Sequence, residues 1–390
     1  MKTKKIIITI LLIICAFCSL IRINTAEVSA YSVLDNVNAK SYVVVDQSGN
    51  ILIEKNSNDK KEVASICKLM TTLITLENID KGNISLDTKL VASEKAASAE
   101  GSQAFLDARS SYSVRDLLKS VIVASANDSA IVLAEGIAGS EDNFVKMMNE
   151  KAKSLGMKNT LYNNSTGLPA MEQYSTAYDT TILLNEVSKY DIYREDCQIW
   201  MDSLTHPSGR ETELVNTNRL IKYYEFCKTG KTGFTDEAGY CLSSTAEKDG
   251  MKLTCVVLGC ASSADRFKDS VCLYNYCYAN FQNNLVLSHE TTISELPVLR
   301  GKTDTIKIRP AEDFYYTQDR NQEKSVSIRL NLPQSLSAPI ENGDIAGEIL
   351  IIVDGEVVGE IDAIASEPVE KQNYVDVIHK IVENFDLIGR

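Results

Sequence analysis

Ser65-Ile66-Cys67-Lys68-Leu69-Met70-Thr71-Thr72-Leu73-Ile74 opens an apolar pattern at helical spacing that runs to about Ile79. At its head the spacing sets a hydroxyl and an amine one helical turn apart on the same face. A lysine beside a serine can activate it without histidine. To act as a base near neutral pH, that lysine must fall about 3 units from its reference pKa of about 10.4, a differential cost of roughly 4 kcal/mol that burial or a second cation must supply. The helix N-terminus also offers the backbone N–H of Ser65 to a developing oxyanion. Ser57-Asn58-Asp59-Lys60 repeats the spacing, but in a polar turn rather than at the start of an apolar helix.

Two further stretches extend this chemistry. Ser125-Ala126-Asn127 follows the apolar run Val121-Ile122-Val123-Ala124, and a serine and a carboxamide two residues apart in a loop between helices can both enter one cleft; the plainer reading is a helix cap. Lys231-Thr232-Gly233, continued by Phe234-Thr235 and a strand-like run to Leu242, can present a cation and a hydroxyl to a carboxylate, while the glycine admits a substrate backbone. Lys228-Thr229-Gly230 repeats the triplet immediately upstream. The strand that follows favours the second copy.

Outward from these motifs, Ser41–Asp46 and Ile51–Glu54 around the turn Gln47-Ser48-Gly49-Asn50 read as a β-hairpin. Helical spacing occupies residues 113–137, 140–155, 179–190 and 267–281, and strand signals return at 239–246 and 253–259. Strands, then helices, then strands predict an α+β domain whose sheet is closed by both ends of the chain. Past residue 284 short β-rich runs take over at 306–308, 326–332, 345–354 and 356–364, with a hairpin turn at Asp354-Gly355, so a small all-β domain is expected.

Lys2, Lys4 and Lys5 precede an apolar run from Ile6 to Ile21, and Val28-Ser29-Ala30 supplies small residues before Tyr31, the pattern of a signal peptide; an uncleaved anchor is the alternative. The expected organisation is a signal peptide over 1–30, a catalytic domain over 31–284, a β domain over 285–370 and an amphipathic tail over 371–390. In that tail Tyr374, Ile378, Ile381, Val382, Phe385 and Ile388 share a helical face suited to a membrane surface. Losing Lys2, Lys4, Lys5, Arg22 and Glu27 with the first 30 residues moves the net charge from −13 to −16, a surface that repels nucleic acid and anionic polymers. Eight cysteines remain, most inside apolar runs and too dilute for a disulfide scaffold, so buried free thiols are expected. No cysteine or histidine spacing points to a metal.

Taken together and in this order, the three motifs resemble those of the penicillin-binding protein and serine β-lactamase superfamily. Val123-Ala124-Ser125-Ala126-Asn127-Asp128, Asn163-Asn164-Ser165-Thr166-Gly167-Leu168-Pro169, Ser175-Thr176-Ala177-Tyr178-Asp179 and Asn216-Thr217-Asn218 narrow the resemblance to the low-molecular-mass D-alanyl-D-alanine carboxypeptidases over residues 35–370. It implies a transpeptidase-like catalytic domain followed by a β-sandwich, and hydrolysis of stem peptides ending in D-Ala-D-Ala at the outer face of the cell membrane, with β-lactams as covalent inhibitors and no cofactor. Ser65 would be the nucleophile and Lys68 its base; Ser125 would relay a proton and Asn127 would hold Lys68 and a substrate amide. Lys231 and Thr232 would bind the terminal carboxylate beside Gly233, Phe234 and Thr235, with the N–H groups of Ser65 and Phe234 forming the oxyanion hole. Two departures stand out. Phe226-Cys227-Lys228-Thr229-Gly230 replaces the family's approach to its Lys-Thr-Gly strand, and Arg109-Ser110-Ser111 stands where the resemblance implies a Gly-Glu turn; Arg266 is the candidate for a carboxylate-binding arginine. A β-lactamase, a transpeptidase or a wall-binding protein with a silent site would carry the same motifs, although no Glu-x-x-Leu-Asn setting of the first kind is present.

Overall fold

The strand Ser41–Asp46 is buried along its whole length, which places it inside a sheet. The computed structural model describes residues 33–378, and in it that strand (β1) pairs antiparallel with Ile51–Lys55 (β2) on one side. Its other neighbour comes from more than two hundred residues downstream. Cys227–Thr235 (β3), Gly239–Lys248 (β4) and Met251–Cys260 (β5) complete a five-stranded antiparallel sheet in the order β2-β1-β5-β4-β3. The predicted closure by both ends of the domain is thus observed, with β3 left as an edge.

The helices gather on the side chains this sheet offers. Lys68–Asp80 (α1) buries ten of its residues, all but Glu77, Ile79 and Asp80, and is the central helix. A 3₁₀ turn, Ala64–Cys67, leads into it, so the nucleophile motif spans a change of helix type instead of lying in one α-helix from Ser65. Leu69, Leu73 and Leu76 pack with Val43, Val256, Leu258, Phe144 and Tyr162 in one core. Val114–Val123 (α2) and Asn127–Ala138 (α3) divide the segment 113–137 that periodicity alone reads as continuous. The break falls at Ser125, which has a left-handed φ of 63°. Nothing in the small-residue run Ala124-Ser125-Ala126 forbids a helix, so tertiary contacts impose the break. Glu141–Ser154, Ala177–Val187 and Ser263–Asn280 supply the remaining long helices, and the sequence reading missed the polar hairpin Met201–Thr205 with Glu211–Val215.

The chain divides into compact units after Ala279, earlier than the boundary expected after residue 284, because Phe281–Leu287 is already a strand and pairs with Phe314–Asp319. The second unit carries a six-stranded sheet in which Ile345–Val353 and Glu356–Ala365 form the predicted hairpin about Asp354-Gly355. Its core is Ile306, Ile308, Ile349, Ile351, Ala363 and Ala365, alternate residues of three strands. All eight cysteines among the described residues are free thiols, seven of them buried. The signal-peptide segment and residues 379–390 lie outside the described residues.

Candidate active site

The edge strand β3, the 3₁₀ turn and the α2–α3 loop converge on a cleft of about 410 Å³ lined by Ser65, Ser125, Asn127, Thr232, Gly233 and Phe234, among others. Gly233 makes the convergence possible: a Cβ there would lie 2.5 Å from Val63 O and 3.3 Å from Ser65 N. Gly167, at φ +80°, allows a second close approach, since its Cβ would sit 1.9 Å from Ala64 O. Held between these backbones, Ala64 adopts a left-handed φ of 49°. Non-glycine residues in that region cost on the order of 1–3 kcal/mol each, and here two of them, Ala64 and Ser125, aim the two site hydroxyls.

Lys68 is fully buried, and its Nζ donates to Ser65 Oγ at 2.8 Å and to Thr166 O at 2.6 Å. Burial lowers its pKa to about 7, against opposing pulls from Cys67 and Asp128. Desolvation therefore supplies the shift that the sequence argument required. A second lysine lies across the cleft. Lys231 Nζ donates to Ser125 Oγ at 2.6 Å and to Thr232 O at 3.1 Å, and burial, then the charges of Lys68 and Arg266, hold its pKa well below the ordinary lysine value. Two serine–lysine pairs thus face one cavity.

Asn127 does not hold Lys68. Its Nδ2 donates to Glu100 O, and its Oδ1 is buried without a partner, so the backbone carbonyl of Thr166 orients Lys68 instead. Sequence alone could not assign that carbonyl, although Thr166 lies within the segment Asn163–Pro169 that carried the resemblance. Next to Asn127, the buried Asp128 accepts from the backbone N–H groups of Ala104, Leu106 and Ser129, which fastens the 100–106 loop to α3. Thr232 Oγ1 donates to Thr217 Oγ1 at 2.7 Å, and Phe234 stacks on Tyr240 with ring centroids 4.2 Å apart at the cleft mouth. Thr235 lines the same cleft. Arg266 reaches it from the helix Ser263–Asn280, with Nη1 donating to Gly233 O at 3.0 Å.

The competing motifs fall elsewhere. Lys228 is exposed, while Thr229 Oγ1 bonds to Ser188 and Thr245 in the interior. Ser57 is hydrogen-bonded to Glu54, and Lys60 Nζ to Tyr174 OH at 3.2 Å, so that serine and lysine do not meet.

A serine facing a buried, deprotonatable lysine, in a cleft between a five-stranded sheet and a helical block, is the arrangement of a lysine-dependent serine acyl-transfer enzyme. Residues 25–262 match the model of the D-alanyl-D-alanine carboxypeptidase family, and residues 281–371 match that of the C-terminal domain of penicillin-binding protein 5. The chain belongs to the D-alanyl-D-alanine carboxypeptidase family. It is 35% identical over 344 residues to D-alanyl-D-alanine carboxypeptidase DacF of Bacillus subtilis, an alignment covering 88% of each chain. Among solved structures it is similar to a peptidoglycan synthesis regulatory factor (PBP3) from Streptococcus pneumoniae, with a TM-score of 0.74, 27% identity and coverage of 86% of this chain and 100% of that one. Penicillin-binding protein 5 from Haemophilus influenzae gives a TM-score of 0.70 at 28% identity, covering 86% and 98%.

Proposed function

We propose that this chain removes the terminal D-alanine from peptidoglycan stem pentapeptides through an acyl-enzyme on Ser65, and that β-lactams acylate the same oxygen. The 2.8 Å contact between Lys68 Nζ and Ser65 Oγ carries the reading. Neutral Lys68 takes the hydroxyl proton as Ser65 Oγ bonds to the penultimate D-alanine carbonyl carbon. The C–N bond then breaks, and the departing amine receives a proton by way of Ser125. Lys231 and Thr232 hold the terminal carboxylate, and the unpartnered Oδ1 of Asn127 accepts a substrate N–H. The backbone N–H groups of Ser65 and Phe234 bind the oxyanion; one such donor is worth about 3–4 kcal/mol. Gly233 and Thr235 border the path of the substrate backbone. Water then hydrolyses the ester.

The pH profile tests the role of Lys68. Its depressed pKa of about 7 means that the amine is neutral above that pH and charged below it. D-Alanine release from a pentapeptide, measured as kcat/KM, should climb through a midpoint close to neutrality. By pH 5 only about one amine in a hundred is neutral, so the rate should stand roughly a hundredfold under its plateau. A profile flat from pH 5 to 9 would exclude Lys68 as the base.

The same reading includes export by residues 1–30 and action outside the cytoplasm, on a wall polymer, with residues 371–390 lying on the outer membrane surface. Residues 374–378 are helical, with Tyr374 and Val375 exposed. No helix among the described residues is long and apolar enough to cross a membrane. A helix over the fifteen residues 374–388 would be only about 22 Å long, and the charges of Asp376, Lys380, Glu383 and Asp386 in that sequence suit an interface and not a span. Each large apolar side chain buried there contributes about 1.5–3 kcal/mol before ordering costs. Liposome co-sedimentation should therefore retain the mature protein at low and high salt and lose a form ending at Lys371. Equal partitioning of the two forms would exclude the tail as an anchor.

A further inference from the structure

Beside the cleft, and sharing Thr217 and Arg266 with it, lies an open cavity of about 620 Å³ lined also by Trp200, Arg219 and Tyr223. Its charged groups, Arg219 and Arg266, are both cationic. Neither Arg219 nor Arg266 forms an ion pair among the described residues, and the buried Nε of Arg266 has no hydrogen-bond partner. The two guanidinium groups are close enough that Arg219 helps to depress the pKa of Arg266, behind the larger effect of burial. Trp200 stands edge-on to Tyr223 with centroids 6.3 Å apart, and Lys222 Nζ lies 4.7 Å from the centre of the indole. No carboxylate lines this cavity, although the chain as a whole carries a net charge of −13. Arg266 is held by Gly233 O, Cys241 O and Ser263 Oγ, whereas the exposed Arg219 has no ion-pair partner among the described residues; an aromatic wall beside it suits a carboxylate on a short aliphatic stem, which arginine can bind through two N–H groups.

The position of the cavity relative to the reacting bond follows from the shared wall. Thr217 Oγ1 accepts from Thr232 Oγ1, the hydroxyl assigned above to the terminal carboxylate. Thr217 lines both the cleft and this cavity, so the two spaces meet at the residue that Thr232 touches. We infer that this cavity is a subsite for leaving residues larger than D-alanine whose side chains end in a carboxylate. The inference rests on the acyl-transfer reading and adds a leaving-group specificity to it. The chemistry is unchanged: the Ser65 Oγ–carbonyl bond forms, the amide C–N bond breaks, and D-glutamate, for example, departs with the transferred proton on its amine.

Three peptides with a common acyl portion, ending in D-Ala-D-Ala, D-Ala-D-Glu and D-Ala-D-Gln, test it with the mature protein. The wild type should release D-glutamate with a kcat/KM about tenfold above that for D-glutamine, its neutral isostere. Arg219→Gln should bring the two to parity and leave D-alanine release within twofold, while Arg219→Lys should keep part of the preference. Should Arg219→Gln also impair D-alanine release, Trp200→Ala, which removes the aromatic wall, should reduce D-glutamate release selectively. Equal wild-type rates for D-Glu and D-Gln, or a preference that survives Arg219→Gln, would overturn the subsite. Absence of D-alanine release by the wild type would instead overturn the acyl-transfer reading on which it stands.

Discussion

Ser65→Ala is expected to abolish covalent labelling by penicillin and to lower D-alanine release by about 10⁴-fold or more. The hydroxyl is the atom that bonds to the carbonyl carbon, so its loss removes the covalent path; only binding and oxyanion contacts are left to accelerate the reaction. Intact-mass measurement of the protein with and without penicillin reads this directly as presence or loss of the adduct. Ser57→Ala is the matched control, because Ser57 bonds to Glu54 and its motif partner Lys60 is engaged with Tyr174. An adduct that persists in Ser65→Ala would mean that another residue is the nucleophile.

Lys231→Ala should reduce D-alanine release about a thousandfold, whereas Lys228→Ala should change it by less than about twofold. Lys228 falls at the irregularity in the strand between Cys227 and Thr229 and is exposed there, whereas Lys231 sits in the regular ladder opposite Ser243. Only Lys231 points inward, where it meets Ser125 Oγ at 2.6 Å. In the proposed mechanism its removal takes away both the amine that binds the terminal carboxylate and the hydrogen-bond partner of Ser125, and leaving a buried polar group without its partner costs about 1–3 kcal/mol beyond the lost substrate contact. Lys228 is exposed, and its loss leaves the cleft unaltered. The reverse ranking, measured as kcat/KM on one pentapeptide, would assign the cleft to the first triplet.

How far the sequence was legible depended on the distance over which each feature is encoded. The nucleophile motif, the Ser-x-Asn loop and the Lys-Thr-Gly strand are local patterns, and the structure brings Ser65, Ser125, Asn127, Thr232 and Gly233 to one cleft. The hairpin about Asp354-Gly355 and the β1–β2 hairpin were equally readable, because turn chemistry and apolar alternation are written within ten residues. Met201–Thr205 and Glu211–Val215 escaped notice because each has only one buried residue and no apolar period. The loop between helices at Ser125 was expected from its motif, but its left-handed backbone was not, because that is set by what the side chain meets across the cleft and not by its neighbours in sequence. The mistaken pairing of Asn127 with Lys68 is of the same kind. A main-chain carbonyl, that of Thr166, took the place assigned to a side chain, and carbonyls carry no signature of their own.

The free thiols have a consequence for handling and for evolution of the chain. Burial pushes Cys67 and Cys197 up to about 12, Cys227 to about 12 and Cys241 to about 11. At neutral pH only about one such group in 10⁴ to 10⁵ is a thiolate, and the thiolate is the species that oxidants, disulfides and alkylating agents attack. Packing therefore acts as a redox shield, and the polypeptide can carry reduced sulfur through an oxidising compartment for as long as it stays folded. The shield fails all at once when the core opens. Each molecule that unfolds then exposes several nucleophiles to one another, so a transient excursion becomes a covalent scramble, and tight packing around Cys67, beside the nucleophile itself, guards chemical identity as well as shape.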